Sequence, residues 1–185
     1  LRQGDYANAV IILNRSIEQA PENIGLQKDL AMVYTYQKDY EKALQTIKPS
    51  LENPAADDQC YQIAGNIYKQ LKQAKEGEKL YKKGLKKFPN SGPLYNELGE
   101  LLWIQQNYDA IKYWEEGIQK EPSYSKNYYN AARYYFLTTD KVWSILYGEI
   151  FLNMEPNSPY TPEMKQILLD SYKKLFADAD LEQAN

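Results

Sequence analysis

Histidine is absent from this 185-residue chain. That one absence removes imidazole metal ligands, imidazole general bases and the usual serine or cysteine triads together. Cysteine occurs once, at Cys60, so no internal disulfide can form. Its place on the packing face of a helical stretch reads as a small buried apolar residue rather than a nucleophile. Phenylalanine is scarce, with 4 against 18 tyrosines. No apolar run reaches roughly eighteen residues, so no membrane-spanning helix is expected. Excess positive charge is missing too: the net charge is -3, which argues against a general nucleic-acid binder. Lysines do gather between Lys69 and Lys87, and Lys79, Lys82, Lys83, Lys86 and Lys87 suit the outer face of one helix. With Glu76 and Glu78 nearby, that run reads as solvated surface. The chain opens on Leu1, partway through a structural unit, and is read as a fragment with any signal peptide upstream.

What is present is a period. Pro21, Pro54, Pro89, Pro122 and Pro156 stand 33, 35, 33 and 34 residues apart, the span of a helix-turn-helix repeat. Nine and ten residues after successive prolines come Leu30-Ala31, Ile63-Ala64, Leu98-Gly99 and Ala131-Ala132. Thirteen after come Tyr34, Ile67, Leu102 and Tyr135. This is one apolar stripe with a small residue in it, the face a helix needs for close approach of another. Before the prolines, the order small-large-small recurs as Ala9, Leu13 and Ser16, then Ala43, Ile47 and Ser50. It returns as Gly77, Tyr81 and Gly84, and as Ala110, Trp114 and Gly117. Such a face is notched to receive neighbours. In the unit before Pro156, Ser144 is followed by Gly148 and then Phe151, so unusual packing is expected there, with Trp143 filling space.

With GDYANA at 4–9, KDYEKA at 38–43 and NYDA at 107–110, the pattern resembles the tetratricopeptide repeat family over residues 4 to 158. The resemblance implies an all-α, right-handed solenoid of antiparallel helix pairs. We expect one domain over 1–176, with a partial first repeat at 1–21 and full repeats at 22–54, 55–89, 90–122 and 123–156. A capping helix is expected at about 161–176, with Thr161 as N-cap, and a frayed tail over 177–185. On that helix Met164, Ile167, Leu168, Ser171, Tyr172 and Leu175 form the core stripe, with Glu163, Lys165, Asp170 and Lys173 opposite. The turn before Gly77, QLKQAKEG, lacks the family's Asp-Tyr and is expected to be longer by about one residue.

In this family the first helix of each pair lines a concave groove, which implies a set of groove-facing positions. These are Lys28, Met32, Thr35 and Tyr36, then Asp58, Tyr61, Gln62, Gly65, Tyr68 and Lys69. Asn96, Glu97, Glu100, Trp103 and Ile104 follow, and then Lys126, Tyr129, Asn130, Arg133, Phe136 and Leu137. Tyr68, Trp103 and Phe136 each stand fourteen residues after a proline, an aromatic row that reads either as a binding surface or as packing between repeats. The partner-binding candidates are Tyr36, Tyr61, Tyr68, Asn96, Glu100, Trp103, Tyr129, Asn130, Arg133 and Phe136. The carboxylate clamp of some family members does not fit. Lys28 would serve as its first lysine, but Met32, Gln62 and Glu97 occupy the next positions, and Glu97 would repel a carboxylate.

The expected function is a protein-interaction scaffold that holds a peptide segment or a partner domain in the groove, without catalysis or cofactor. The alternative is a glycan-binding platform that stacks sugars on Tyr and Trp. An enzyme would have to use carboxylate pairs such as Glu97 with Glu100 or Glu115 with Glu116, ordinary on exposed helix faces. Residues 128–158 also resemble the ends of bacterial tetratricopeptide proteins, which favours a bacterial origin and an envelope or periplasmic location, with the cytoplasm left open. Val10, Ile11, Ile12, Leu13 and Ile17 in the first helix leave apolar surface to be covered by an upstream helix or by self-association.

Overall fold

The computed structural model describes residues 5–178; of the tail expected over 177–185, residues 177 and 178 belong to the last helix, and 179–185 lie outside the described residues, as do the first residues of the partial repeat. Its helices are α1 (Tyr6–Gln19), α2 (Ile24–Tyr36), α3 (Tyr40–Ile47), α4 (Asp58–Gln70) and α5 (Ala74–Lys87). After them come α6 (Gly92–Ile104), α7 (Ala110–Lys120), α8 (Ser125–Phe136), α9 (Lys141–Met154) and α10 (Thr161–Asp178). A single 3₁₀ turn, Pro49–Glu52, follows α3. The chain divides into two compact units at one of the periodic prolines, Leu1–Pro89 and Asn90–Asn185.

The starts of α2, α3, α4 and α6 are fixed by side chains that accept otherwise orphaned amides. Asn23 Oδ1 takes the Leu26 amide at 3.2 Å, Asp39 Oδ1 the Lys42 amide at 3.2 Å and Asp57 Oδ1 the Cys60 amide at 3.1 Å. Ser91 Oγ does the same for Leu94 at 3.3 Å. Thr161 behaves differently. Its hydroxyl donates back to the Glu155 carbonyl at 2.7 Å and accepts the Ser158 amide at 3.0 Å, so it ties the preceding loop instead of capping α10.

The turns repeat as strictly as the prolines. Lys38, Lys72 and Gln106 carry φ of 61°, 59° and 59°, one at the same place in each of three turns, 34 residues apart. The turn before α5 spans Leu71–Gln73, the same length as Gln37–Asp39 before α3. The extra residue expected there lies earlier, between Pro54 and the start of α4. None of the three αL positions is glycine, although αL costs an L-residue on the order of 1 kcal/mol. Lys72→Gly is therefore expected to raise stability by about 0.5–1 kcal/mol, read as a higher urea midpoint with unchanged slope. A lower midpoint would mean the lysine stem contributes contacts worth more than the backbone relief.

In the first unit, Leu30, Ala31 and Val33 of α2 bury against Ala43, Leu44 and Ile47 of α3. Cys60, Ala64 and Ile67 of α4 and Tyr81 of α5 complete the core. A Cβ at Gly65 would lie 2.2 Å from the Tyr81 ring, so the tyrosine occupies the space the glycine leaves. Helix α1 contributes no buried residue, and Ile11 and Ile12 are 50% and 62% exposed.

The second unit uses the same device with other residues. Trp114 of α7 lies on Gly99, where a Cβ would stand 2.3 Å from its Nε1. Asn127 fills the notch at Gly117 and donates to the Gly92 carbonyl at 3.1 Å. At the reordered α9, Gly148 receives Met164 and Leu168 of α10, while Phe151 is buried among Tyr128, Tyr129, Ala132 and Met164. Trp143 stays 44% exposed and stacks on Tyr147 at 5.6 Å rather than filling the core. Of the expected α10 stripe, Met164, Ile167, Leu168 and Ser171 are buried and Tyr172 and Leu175 half-buried.

Candidate functional site

The expected groove positions divide into interior and open residues. Tyr61 is interior: its hydroxyl donates to the Leu51 carbonyl at 3.3 Å and its ring meets Phe88 edge-on. Gly65 is covered by Tyr81. Asn96 and Asn130 are also interior, with Asn130 Nδ2 donating to Asn96 Oδ1 at 2.8 Å. Glu100 Oε1 accepts from Asn96 and Asn130 at 3.3 and 3.4 Å. Tyr129 is 6% exposed, ringed by Phe151 and Tyr160. The physical reason is that a first helix is covered both by its own partner and by the following pair. Nine of the thirteen residues of α6 are buried, so positions one step off the core stripe are covered too.

The open residues form one cleft in each unit. In the first, Met32, Thr35 and Tyr36 of α2 face Gln59, Gln62 and Asn66 of α4 across about 250 Å³. Tyr36 stacks on Tyr6 at 5.9 Å. Lys28 is engaged at the edge, donating to Asp57 at 2.6 Å and Gln59 at 2.8 Å. Tyr68 is half-buried and does not line this cleft.

The second unit brings together three of the predicted residues. Trp103 of α6 and Arg133 and Phe136 of α8, with Leu137, form one wall of a cleft of about 330 Å³. The other wall is Glu163, Gln166, Ile167 and Asp170 of α10. Trp103 is held by rings on several sides, Tyr108 at 5.9 Å, Trp114 at 6.1 Å and Tyr134 at 5.8 Å. Phe136 carries the Lys141 ammonium 5.1 Å from its ring centre, and that ammonium also donates to the Thr138 carbonyl at 2.6 Å. Arg133 Nε pairs with Glu163 at 3.1 Å, and its guanidinium lies 5.3 Å from the centre of the Tyr129 ring. The other Glu163 oxygen accepts the Tyr129 hydroxyl at 2.5 Å. Burial first, then that carboxylate, pushes the Tyr129 hydroxyl well above the ordinary tyrosine range.

The α10 contribution was missed by the groove assignment because the repeat register ends at Pro156. The available signal was the spacing of Glu163, Gln166 and Asp170, three and four residues apart, which sets them on one helix face.

Other chemistry-bearing groups are occupied structurally. Glu115 accepts the hydroxyls of Tyr135 at 2.9 Å and Tyr147 at 3.2 Å, and Glu116 that of Tyr95 at 2.9 Å. Burial pushes the Cys60 thiol up to about 11, so it stays protonated. The lysines of α5 are solvent-facing, with Lys82 paired to Glu78 and Lys83 to Glu52. Among the described residues no cluster of three or more potential metal ligands is found, and no helix is long and apolar enough to cross a membrane.

Comparison with known proteins agrees with the geometry. Residues 2–84 match the family described as "Anaphase-promoting complex, cyclosome, subunit 3". No curated protein matches the sequence significantly. Among solved structures, BtubC (BKLC) from P. vanneervenii is 15% identical with a TM-score of 0.72, over 92% of this chain and 82% of that one. TTC0263, a thermophilic TPR protein in Thermus thermophilus, is 14% identical with a TM-score of 0.69, over 94% and 92%. YrrB, described as a TPR protein with an unusual peptide-binding site, is 14% identical with a TM-score of 0.59, over 88% and 84%. At these identities the likeness establishes the fold: all-α, of the helical-repeat solenoid class.

Proposed function

We propose that this chain, built on the tetratricopeptide fold, is a non-catalytic protein-interaction scaffold that holds a peptide segment of its partner in the cleft between α6, α8 and α10. The observation that carries this reading is the cleft itself, where an aromatic wall is held rigid by neighbouring rings and faced by fixed charges. Anchors of this kind, Trp and Arg above all, dominate binding energy at interfaces, and a wall already ordered costs little entropy on binding. YrrB is a fold relative described as binding peptide, which supports the class of ligand. Of the carboxylates that an enzyme would use, Glu100 accepts from asparagine amides and Glu115 and Glu116 from tyrosine hydroxyls, which supports the non-catalytic part.

The test is a crosslinking pulldown from the native cell with wild type, Trp103→Ala/Arg133→Ala and Leu137→Ser. A partner that binds wild type is expected to lose about 2 kcal/mol or more of affinity with the double variant. Leu137 is 67% exposed, so its replacement weakens binding without a folding penalty. Equal recovery with all three proteins would sink this site. Recovery of no specific protein would leave the glycan platform as the reading to pursue.

A further inference from the structure

From the charges of the α6–α8–α10 cleft we infer that its peptide carries a cationic side chain, arginine or lysine, next to an apolar residue; this rests on the peptide-binding reading above. Two cations stand at the cleft wall: Lys141, on the Phe136 ring, is committed to the Thr138 carbonyl, and Arg133 to Glu163 and to the Tyr129 ring, while the second Glu163 oxygen is committed to the Tyr129 hydroxyl. That group is internally balanced. Asp170 is not. Among the described residues its partners are the neutral Gln166 amide at 2.9 Å and the Lys173 ammonium at 3.9 Å, the latter pair lying in solvent with the Lys173 and Asp170 side chains 67% and 39% exposed. At that distance and exposure the ion pair is weak and screened.

The remaining carboxylate therefore shares a 330 Å³ cleft with the Trp103 and Phe136 rings. An apolar residue set against those rings places its neighbour beside Asp170. A guanidinium or ammonium there gains a carboxylate and an aromatic face together. An acidic segment meets the opposite situation. To reach Arg133 it would have to displace Glu163 and leave a carboxylate without its cation.

The test is selection of a displayed random-peptide library on the intact protein, on Asp170→Asn and on Asp170→Lys. The wild-type pool is expected to be enriched several-fold in Arg or Lys adjacent to Leu, Phe or Trp. That enrichment should vanish with Asp170→Asn and turn toward Asp or Glu with Asp170→Lys. The strongest wild-type peptide, titrated calorimetrically, should lose about tenfold in affinity on Asp170→Asn. Replacing its cationic residue with Gln should cost the same on wild type and little on the variant. A wild-type pool without cationic enrichment, or an enrichment that Asp170→Asn leaves unchanged, overturns the inference while peptide binding stands. An empty wild-type pool overturns the peptide-binding reading and the inference with it.

Discussion

Gly99→Ala is expected to destabilise the protein by about 3 kcal/mol, although alanine is the better helix former by roughly 1 kcal/mol. The added Cβ would sit 2.3 Å from Trp114 Nε1 and 2.7 Å from two further ring carbons. The indole has no retreat. It is 2% exposed, its Nε1 donates to the Asn96 carbonyl at 3.3 Å and its ring lies against Trp103 at 6.1 Å. Relief must come from separating α6 from α7, which loosens the buried faces of both helices. Urea and thermal unfolding measure the loss. Trp114→Leu alone should cost several kcal/mol through the cavity it leaves. Combined with Gly99→Ala it should cost clearly less than the two separately, because the smaller side chain makes room for the methyl. Strict additivity, or a Gly99→Ala protein within about 0.5 kcal/mol of wild type, would show that the close approach does not constrain the pair.

Alkali should unfold the protein steeply, between pH 10 and 12. Tyr95 is 5% exposed and donates to Glu116 at 2.9 Å; burial, then that carboxylate, pushes its hydroxyl up to about 12. Tyr147 is pushed up to about 12 by burial and by Glu115, and Tyr124, Tyr129 and Tyr135 are raised further in the same direction. The sign follows from which state binds more protons. Above the ordinary tyrosine value of 10 the unfolded phenols ionise while the buried ones stay neutral, so stability falls as pH rises. The contribution is complete below pH 10 and is lost as pH passes through the folded values. Holding one buried phenol neutral over that window corresponds to roughly 3 kcal/mol, and several act together. Lys42, Lys83 and Lys112, raised by their acidic partners, act in the same sense but lie in solvent. Tyrosinate absorbance, followed against pH with helical circular dichroism, should show a steep late rise from the buried hydroxyls that coincides with the loss of helix, after the exposed tyrosines have ionised. Gradual ionisation of all tyrosines near pH 10 with the helices intact would refute this account.

The helix pairs were legible in the sequence because their packing is steric and local. Ala31 and Gly99 mark where a second helix approaches, and Ile47 and Trp114 what fills the approach; in α4 the notch that Tyr81 fills is Gly65, one residue past the Ala64 of the proline register, because of the extra residue before that helix. The candidate site was legible only in part. Trp103, Arg133 and Phe136 meet in one cleft as the groove assignment had them, whereas Tyr61, Asn96 and Asn130 lie inside. Helical period gives an angle around one helix, but how wide an arc is covered depends on neighbours that period does not encode. Glu163, Gln166 and Asp170 escaped because α10 stands outside the repeat, so no register aligned them with the groove positions of α6 and α8. The equal turns of three pairs, with αL residues at Lys38, Lys72 and Gln106, were hidden because none is a glycine.

All three tryptophans, Trp103, Trp114 and Trp143, belong to the unit after Pro89, and the unit before it holds none. Indole emission is thus a private channel for one half of the chain, whereas peptide-bond absorbance sums over both. Two denaturation curves recorded on one unlabelled sample, one in each channel, ask whether the halves melt as a single block. Superimposed curves mean a single cooperative block, and separated curves mean that each half has a stability of its own.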